Sequence, residues 1–414
     1  MRKIYTAIDI GSDSIKIVVS EFFNRKFNVL ASSSVVNSGS RRGIIVDKSK
    51  VIESLKKGII DIERTIGIKI EEAIVTIPSN DRKISVSSGN TKIISGTVTG
   101  DDIKNALSDS TIDKISEGYE LVSVIPITFS VDDSQNIADP KGRNGDELGV
   151  KTLLVTVPKK NLVDVVDVCM SCNVQVKDVV LPTVGDYYEA RGKDTECNVG
   201  AIVNMGSDTI NVSIFNKGII IKDEIINLGS RNIDKDISYV YGVDLPVARE
   251  LKENFALCSR KYADNNDVIE INTNKEDAIK INQYEISEVV ESRVSELLKL
   301  AKKSINNLTN RKISYIIVTG GLSELIGFGY VVENVLGINA STLNMTAMGI
   351  RNNKFSSSMG AIKYFHERLK LIGSEYSMFN DDVLDETLMN NKKNLLNINN
   401  NTFIGKIFGY FINN

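Results

Sequence analysis

Three short runs of this chain carry groups suited to gripping phosphate. They read Asp9-Ile10-Gly11-Ser12-Asp13-Ser14-Ile15-Lys16, then Asn204-Met205-Gly206-Ser207-Asp208-Thr209, then Thr319-Gly320-Gly321-Leu322. A glycine in each lets the backbone approach an anion closely, and main-chain N–H and Ser/Thr hydroxyl groups supply donors. Lys16 adds a point charge. Asp9 can hold Mg2+ through water, because that ion gives up its hydration shell reluctantly. Two such turns facing one cleft would hold the phosphates of a single nucleotide from both sides. Gly320 and Gly321 would pass close to the nucleoside, at the carboxyl end of a strand. Each run alone also reads as an ordinary turn, and the order of all three carries the signal. Other chemistries find little support. The only histidine, His366, lies in Lys363–Leu369, which reads as an amphipathic helix with a partly exposed histidine. Cys169 and Cys172 form a CxxC with no second close pair, in an apolar stretch that reads as core.

The turns need elements to aim them. Ala7–Ser20 and Ile202–Phe215 repeat one pattern at a constant offset of 195 (204 minus 9). Gly11-Ser12-Asp13 falls on Gly206-Ser207-Asp208, Ser14 on Thr209 and Asp9 on Asn204. Each copy is an apolar strand, a tight turn and a second strand, which predicts a β-hairpin with polar groups at its tip. Two copies imply a duplicated α/β domain. Lys48–Gly67 carries apolar residues at helical spacing, and Glu71–Asn80 returns as a strand. Residues 84–160 have the texture of a small α+β insertion. From Leu228 to Ile305 the chain reads as mostly helical, and Ile313–Leu325 as a buried strand, a Gly-Gly turn and a helix start.

Composition bounds the function. With 50 Lys+Arg against 53 Asp+Glu, the net charge of −3 is too balanced for a protein that coats nucleic acid. Apolar residues at 42% and charged residues at 25% are ordinary for a globular protein. The N-terminal apolar run is short and broken by Asp9, unlike a signal peptide, and no run of 18 apolar residues offers a membrane span. From Gly373 to Asn401 the chain turns polar, and seven of the twelve residues 390–401 are Asn, which reads as a disordered tether. In the final stretch, Thr402–Asn414, Phe403, Ile407 and Phe411 share one helical face with Ile404 and Phe408 beside them. That segment is too short to span and fits an interfacial amphipathic helix.

The order of the three phosphate-type runs resembles the actin/Hsp70/sugar-kinase ATPase superfamily. Within it, the sequence resembles the FtsA family of actin-like bacterial cell-division proteins. Ile125-Pro126, Val131-Asp132, Asp139-Pro140, Gly142, Gly145 and Leu148 resemble that family's distinctive insert, and Phe355–Phe365 its last connecting segment. The resemblance implies an actin-like α/β fold with two duplicated RNase H-like domains around a nucleotide cleft and an SHS2-type insertion. The implied division is 1–83 with 162–195 and 196–227 with 306–370 as the two core domains. Residues 84–161 are the insert, 228–305 a helical subdomain, 371–401 the linker and 402–414 the membrane helix. It implies ATP and Mg2+ as ligands, with Gly229 and Lys252 joining the three runs at the site. It also implies self-assembly into filaments through the insert, which would recruit later division proteins. Arg293 and Glu296, i,i+3 neighbours in Gln283–Ile305, would hold the C-terminal tail of FtsZ, the tubulin-like ring protein. The expected location is peripheral, on the cytoplasmic face of the membrane at the septum. A single tail with one Lys binds lipid only reversibly, and a filament of tails gains avidity.

The departures from the family pattern matter equally. Asn204 stands where the family has an acidic residue, Ser207-Asp208 where it has a Gly-rich turn, and Arg249 where it has a glutamate. Ser230 replaces a glycine and Asn353 a proline. Asn204 cannot act as a carboxylate base, and Asp208 brings negative charge toward the phosphates unless it is turned away. Nucleotide binding is therefore expected to be weakened and hydrolysis slow or absent. The rival readings are a small-molecule kinase of the same superfamily and a pilus-assembly actin-like protein. The first lacks a clear carboxylate base, and the second lacks this kind of terminus.

Overall fold

The computed structural model describes residues 2–272 and 278–379. The chain opens with β1 (Lys3–Ile10), β2 (Ser14–Phe23) and β3 (Lys26–Val36), an antiparallel meander. A two-residue pair follows, β4 (Ser40–Arg41) with β5 (Ile44–Ile45). Helix α1 (Lys48–Ile66) starts where the Asp47 carboxylate accepts the Lys50 N–H, and ends at Gly67 in the left-handed region at φ 76°. Its apolar stripe, Val51, Leu55, Ile59, Ile62 and Ile66, is buried against the meander. Strand β6 (Glu72–Thr76) then pairs parallel to β1.

The chain next leaves that sheet. β7 (Lys83–Lys92), α2 (Gly100–Asp109), β8 (Tyr119–Val131), β9 (Ser134–Ile137) and β10 (Glu147–Pro158) build an antiparallel sheet in the order β7-β10-β8-β9. Ile103 and Ala106 of α2 pack with Phe129, Val131, Leu148 and Val150 in a core of their own. Helix α3 (Lys159–Met170) leads back to β11 (Gln175–Val180), parallel to β6, and α4 (Pro182–Ala190) and α5 (Lys193–Cys197) lead out.

The second half repeats the first. β12 (Val199–Met205), β13 (Ile210–Asn216) and β14 (Ile219–Ile226) form another meander. There follow α6 (Arg231–Tyr241), α7 (Leu245–Asn254), the hairpin β15 (Val268–Asn272) with β16 (Ala278–Asn282), and α8 (Gln283–Leu308). β17 (Tyr315–Thr319), α9 (Phe328–Leu336), β18 (Ala340–Thr342) and α10 (Ser356–Leu371) complete the described elements. The two five-stranded sheets run β3-β2-β1-β6-β11 and β14-β13-β12-β17-β18. Each is three antiparallel strands followed by two parallel ones, so the expected duplication is present strand for strand.

Helix α10 ties the halves together. Its residues Met359, Ile362 and Phe365 belong to the core of the first sheet, and its first turn touches β12 and β17. It crosses α4 with no room for side chains: a Cβ on Gly360 would lie 1.7 Å from the Gly185 carbonyl oxygen. After α10 the chain runs back along β1, where Met378 N–H donates to the Ile4 carbonyl at 2.9 Å and the Ser377 hydroxyl accepts the Ile4 N–H at 3.0 Å.

Three local expectations change. The stretch 228–305 contains the β15–β16 hairpin, because its β-branched residues alternate over short runs. A short 3-10 turn, Gly321–Glu324, follows the Gly-Gly pair in place of a helix start. His366 is buried, with Nδ1 3.2 Å from the Tyr5 hydroxyl and its ring 4.0 Å from that of Phe22. Cys169 and Cys172 are both buried, as core packing predicts.

Candidate functional site

The two hairpin tips are the same structure made twice. Gly11 N–H donates to the Ser14 carbonyl at 3.1 Å, and Gly206 N–H to the Thr209 carbonyl at 3.0 Å, one hydrogen bond repeated at the offset of the sequence repeat. Both tips open onto one cavity of about 580 Å3 between the two sheets. That volume suits a small-molecule ligand. Asp9, Gly11, Ser12, Lys16, Asn204, Gly206, Ser207, Thr209, Lys252, Gly320, Gly321 and Leu322 all line it. Gly229 lies behind the second tip, where a Cβ would meet the Gly206 and Ser207 carbonyl oxygens at 2.5 Å. Gly320, at φ +96°, lies so close to Met205 and Asn204 that a side chain there would collide with both.

The registers show how the copies have diverged. On the first hairpin Asp9 pairs with Lys16; on the second Asn204 pairs with Asn211. The charged pair has become a neutral one. Asp9 accepts from the Thr76 hydroxyl at 2.6 Å and from Lys16 Nζ at 3.2 Å. Asn204 instead donates from Nδ2 to Asp186 at 2.7 Å. Asp186 is fully buried on α4, and burial pushes its carboxyl up to about 6. Asp9 and the hydroxyls of Ser12, Thr76, Ser207 and Thr209 give the lining oxygen groups of the kind that the water shell of Mg2+ bonds to.

Arginines meet the aspartates at both tips. Arg231 Nε donates to Asp208 at 2.6 Å, and the other Asp208 oxygen accepts the Arg42 N–H at 3.1 Å. Asp208 lines the cavity, with its charge paired to that of Arg231. Arg249 on α7 grips Asp13 with both terminal nitrogens at 2.7 Å and donates from Nε to Glu253 at 2.9 Å. This pair spans the cleft from the second half of the molecule to the first hairpin. Lys252 pairs with Asp234 at 2.6 Å. Lys354 lines the cavity too, and burial, then the Lys16 ammonium, hold its ammonium below the ordinary lysine value. Thr76 and Lys354 line the cleft and Arg231 and Asp186 bond to residues that do, and no motif marked any of the four.

A second concavity, a groove of about 380 Å3, lies between α6 and α8. Arg293 is held there bidentately by Asp236 at 2.5 and 2.8 Å and donates to Glu296 at 2.6 Å. Tyr239 beside it is 91% exposed, and Val240 and Val289 complete an apolar strip.

The comparisons with known proteins match this architecture. The family model described as cell division protein FtsA matches residues 201–360, and that of the SHS2 domain inserted in FtsA matches 80–156. The chain belongs to the FtsA family. The FtsA of Enterococcus hirae is 25% identical over 365 residues, 87% of this chain and 82% of that protein. That of Bacillus subtilis is 24% identical over 379 residues, 90% and 86%. Among solved structures, EutJ from Carboxydothermus hydrogenoformans superposes with a TM-score of 0.54 at 15% identity, covering 88% of this chain and 90% of that one. MreB5 of Spiroplasma citri bound to ADP gives 0.53 at 12%, covering 89% and 97%. The fold is therefore actin-like with an SHS2 insertion, formed by β7–β10 and α2. Among the described residues of this FtsA-family chain no helix is long and apolar enough to cross a membrane. Phe403, Ile404, Ile407, Phe408 and Phe411 lie outside the described residues.

Proposed function

We propose that this member of the FtsA family couples FtsZ filaments to the cytoplasmic face of the membrane at the division septum. The groove between α6 and α8 carries the reading. It sets an exposed tyrosine and an apolar strip beside a guanidinium held in fixed orientation, an arrangement suited to a short peptide with apolar anchors and a charged group. Arg293 and Glu296 are the residues we assign to the FtsZ tail. The four-part body, 1–83 with 162–195, 84–161, 196–227 with 306–370, and 228–305, supplies the frame. The insert would join neighbouring copies into a filament and receive later division proteins. Phe403, Ile404, Ile407, Phe408 and Phe411 would hold lipid beyond the linker.

ATP with Mg2+ would lie between the hairpin tips. Gly11 and Gly206 would let the two turns approach its phosphates closely, and the hydroxyls of Ser12, Ser207 and Thr209 would face them, with Lys16 as a countercharge. Lys252, Gly320, Gly321 and Leu322 would frame the nucleoside, Gly229 would support the second tip, and Asp9 would meet the ion through water. Asn204 offers no base, so the nucleotide serves as an assembly ligand and turnover is slow or absent.

Liposome co-sedimentation with FtsZ filaments tests this. The full chain with ATP-Mg2+ should carry FtsZ into the pellet. A version ending at Asn400 should leave both proteins soluble. Arg293→Glu should pellet alone, leaving FtsZ behind. A full chain that stays soluble in every condition, or an Arg293→Glu variant that still pellets FtsZ, would overturn the assignment.

A further inference from the structure

The second hairpin lacks the carboxylate that its duplicate carries, yet a carboxylate stands one layer beneath it. Asn204 occupies on β12 the place Asp9 holds on β1. Directly below, Asp186 of α4 accepts three hydrogen bonds: from Asn204 Nδ2 at 2.7 Å, the Ser356 hydroxyl at 2.6 Å and the Ser357 hydroxyl at 2.8 Å. The two serines open α10, so this one carboxylate joins α4, β12 and α10 at the crossing of the two halves. An ionised carboxylate only accepts. It therefore fixes which way the Asn204 amide faces: nitrogen down, carbonyl oxygen up. The upward oxygen points at Gly320, where a Cβ would approach it to 2.7 Å, and both residues line the cavity. Only glycine at 320 leaves that oxygen open.

We infer that Asp186 is a positioning residue of the cleft, and that the Asp186–Asn204 pair replaces the single carboxylate of a symmetric site. The negative charge sits below, and Asn204 presents an acceptor oxygen to the water shell of the divalent cation that accompanies a nucleoside polyphosphate. The inference rests on the reading that the cleft takes such a nucleotide. It accounts for two features together: the loss of charge at 204, and the gain of a fully buried aspartate bonded to that same side chain.

The test is a charge swap in the full chain, with two separate readouts. Stability is measured by urea unfolding without nucleotide, and affinity by titration of a fluorescent ATP analogue in Mg2+ and in EDTA. Asn204→Asp sets two carboxylates against each other and should lower the urea midpoint. Asp186→Asn leaves the amide of Asn204 free to turn, and should cut the Mg2+-dependent part of the affinity on the order of tenfold, the usual cost of losing a group that orients a metal-site ligand. The double variant, Asp186→Asn with Asn204→Asp, should regain both. A double variant no more stable than the worse single one would overturn the pairing. Should Asn204→Asp fail to fold, Asp186→Asn decides alone: an unchanged Mg2+ dependence removes Asp186 from the site. Failure of the wild-type chain to bind the analogue in either buffer would instead overturn the nucleotide reading and the metal half of this inference. The stability arm would still decide the pairing.

Discussion

Asp13 and Arg249 are two single residues whose pairing bridges the cleft we assign to a nucleotide. Arg249 reaches across the cleft to grip Asp13 with two bonds of 2.7 Å. Both side chains are about one-third exposed, so solvent screens the pair and its worth is about 1 kcal/mol or less. An entering phosphate competes with Asp13 for this guanidinium. Asp13→Asn should therefore tighten binding of an ATP analogue several-fold, read by fluorescence titration. Unchanged affinity would disconnect the pair from the ligand. Asp208, the equivalent residue of the second tip, is already satisfied by Arg231 and the Arg42 N–H, so Asp208→Asn should have the smaller effect.

Among the elements, α10 shows how far periodicity reaches. Its spacing predicts an amphipathic helix with His366 near the surface, but the helix is covered on two sides, by α4 and by the first sheet. Burial, with Lys3 and Lys370 adding to it and Glu367 opposing, holds His366 below its ordinary value. The sign follows from the proton count. Below about pH 6.5 an exposed histidine in the unfolded chain takes up a proton that the folded chain resists, so stability falls as pH drops from there. Urea midpoints between pH 7.5 and 5.5 should decline less for His366→Asn than for the wild type. Parallel declines would show that other groups govern the acid limb. The hairpins, by contrast, were legible: alternating apolar residues and a repeated Gly-Ser-Asp carry strand, turn and register together. Asp186 was not, because its partners lie 18, 170 and 171 residues away and α4 carries no motif. Chemistry assembled across such distances leaves no local pattern. The β15–β16 hairpin was hidden for a different reason: its strands are only five residues each, too short to outweigh the helices around them.

For the whole molecule, the two sheets and their shared cavity make one ligand a link between halves with separate hydrophobic cores. A nucleotide that binds only the folded chain stabilises it by mass action, about 2.7 kcal/mol at a hundred times its Kd. Thermal unfolding with saturating ATP should shift upward. Arg293→Glu, remote from the cleft on α8, should show the same shift as the wild type. A shift lost in that variant would mean that the groove and the cleft are one cooperative unit.

The return of residues 377 and 378 to Ile4 has a mechanical consequence. Ser377 and Met378 lie against the start of β1, while Asp9, near the other end of that strand, lines the cleft. Any traction on these two residues is delivered first to this strand, which lies inside its sheet between β6 and β2. The ladders to β6 and β2 would share that load, and the far end of the same strand carries Asp9 at the cavity.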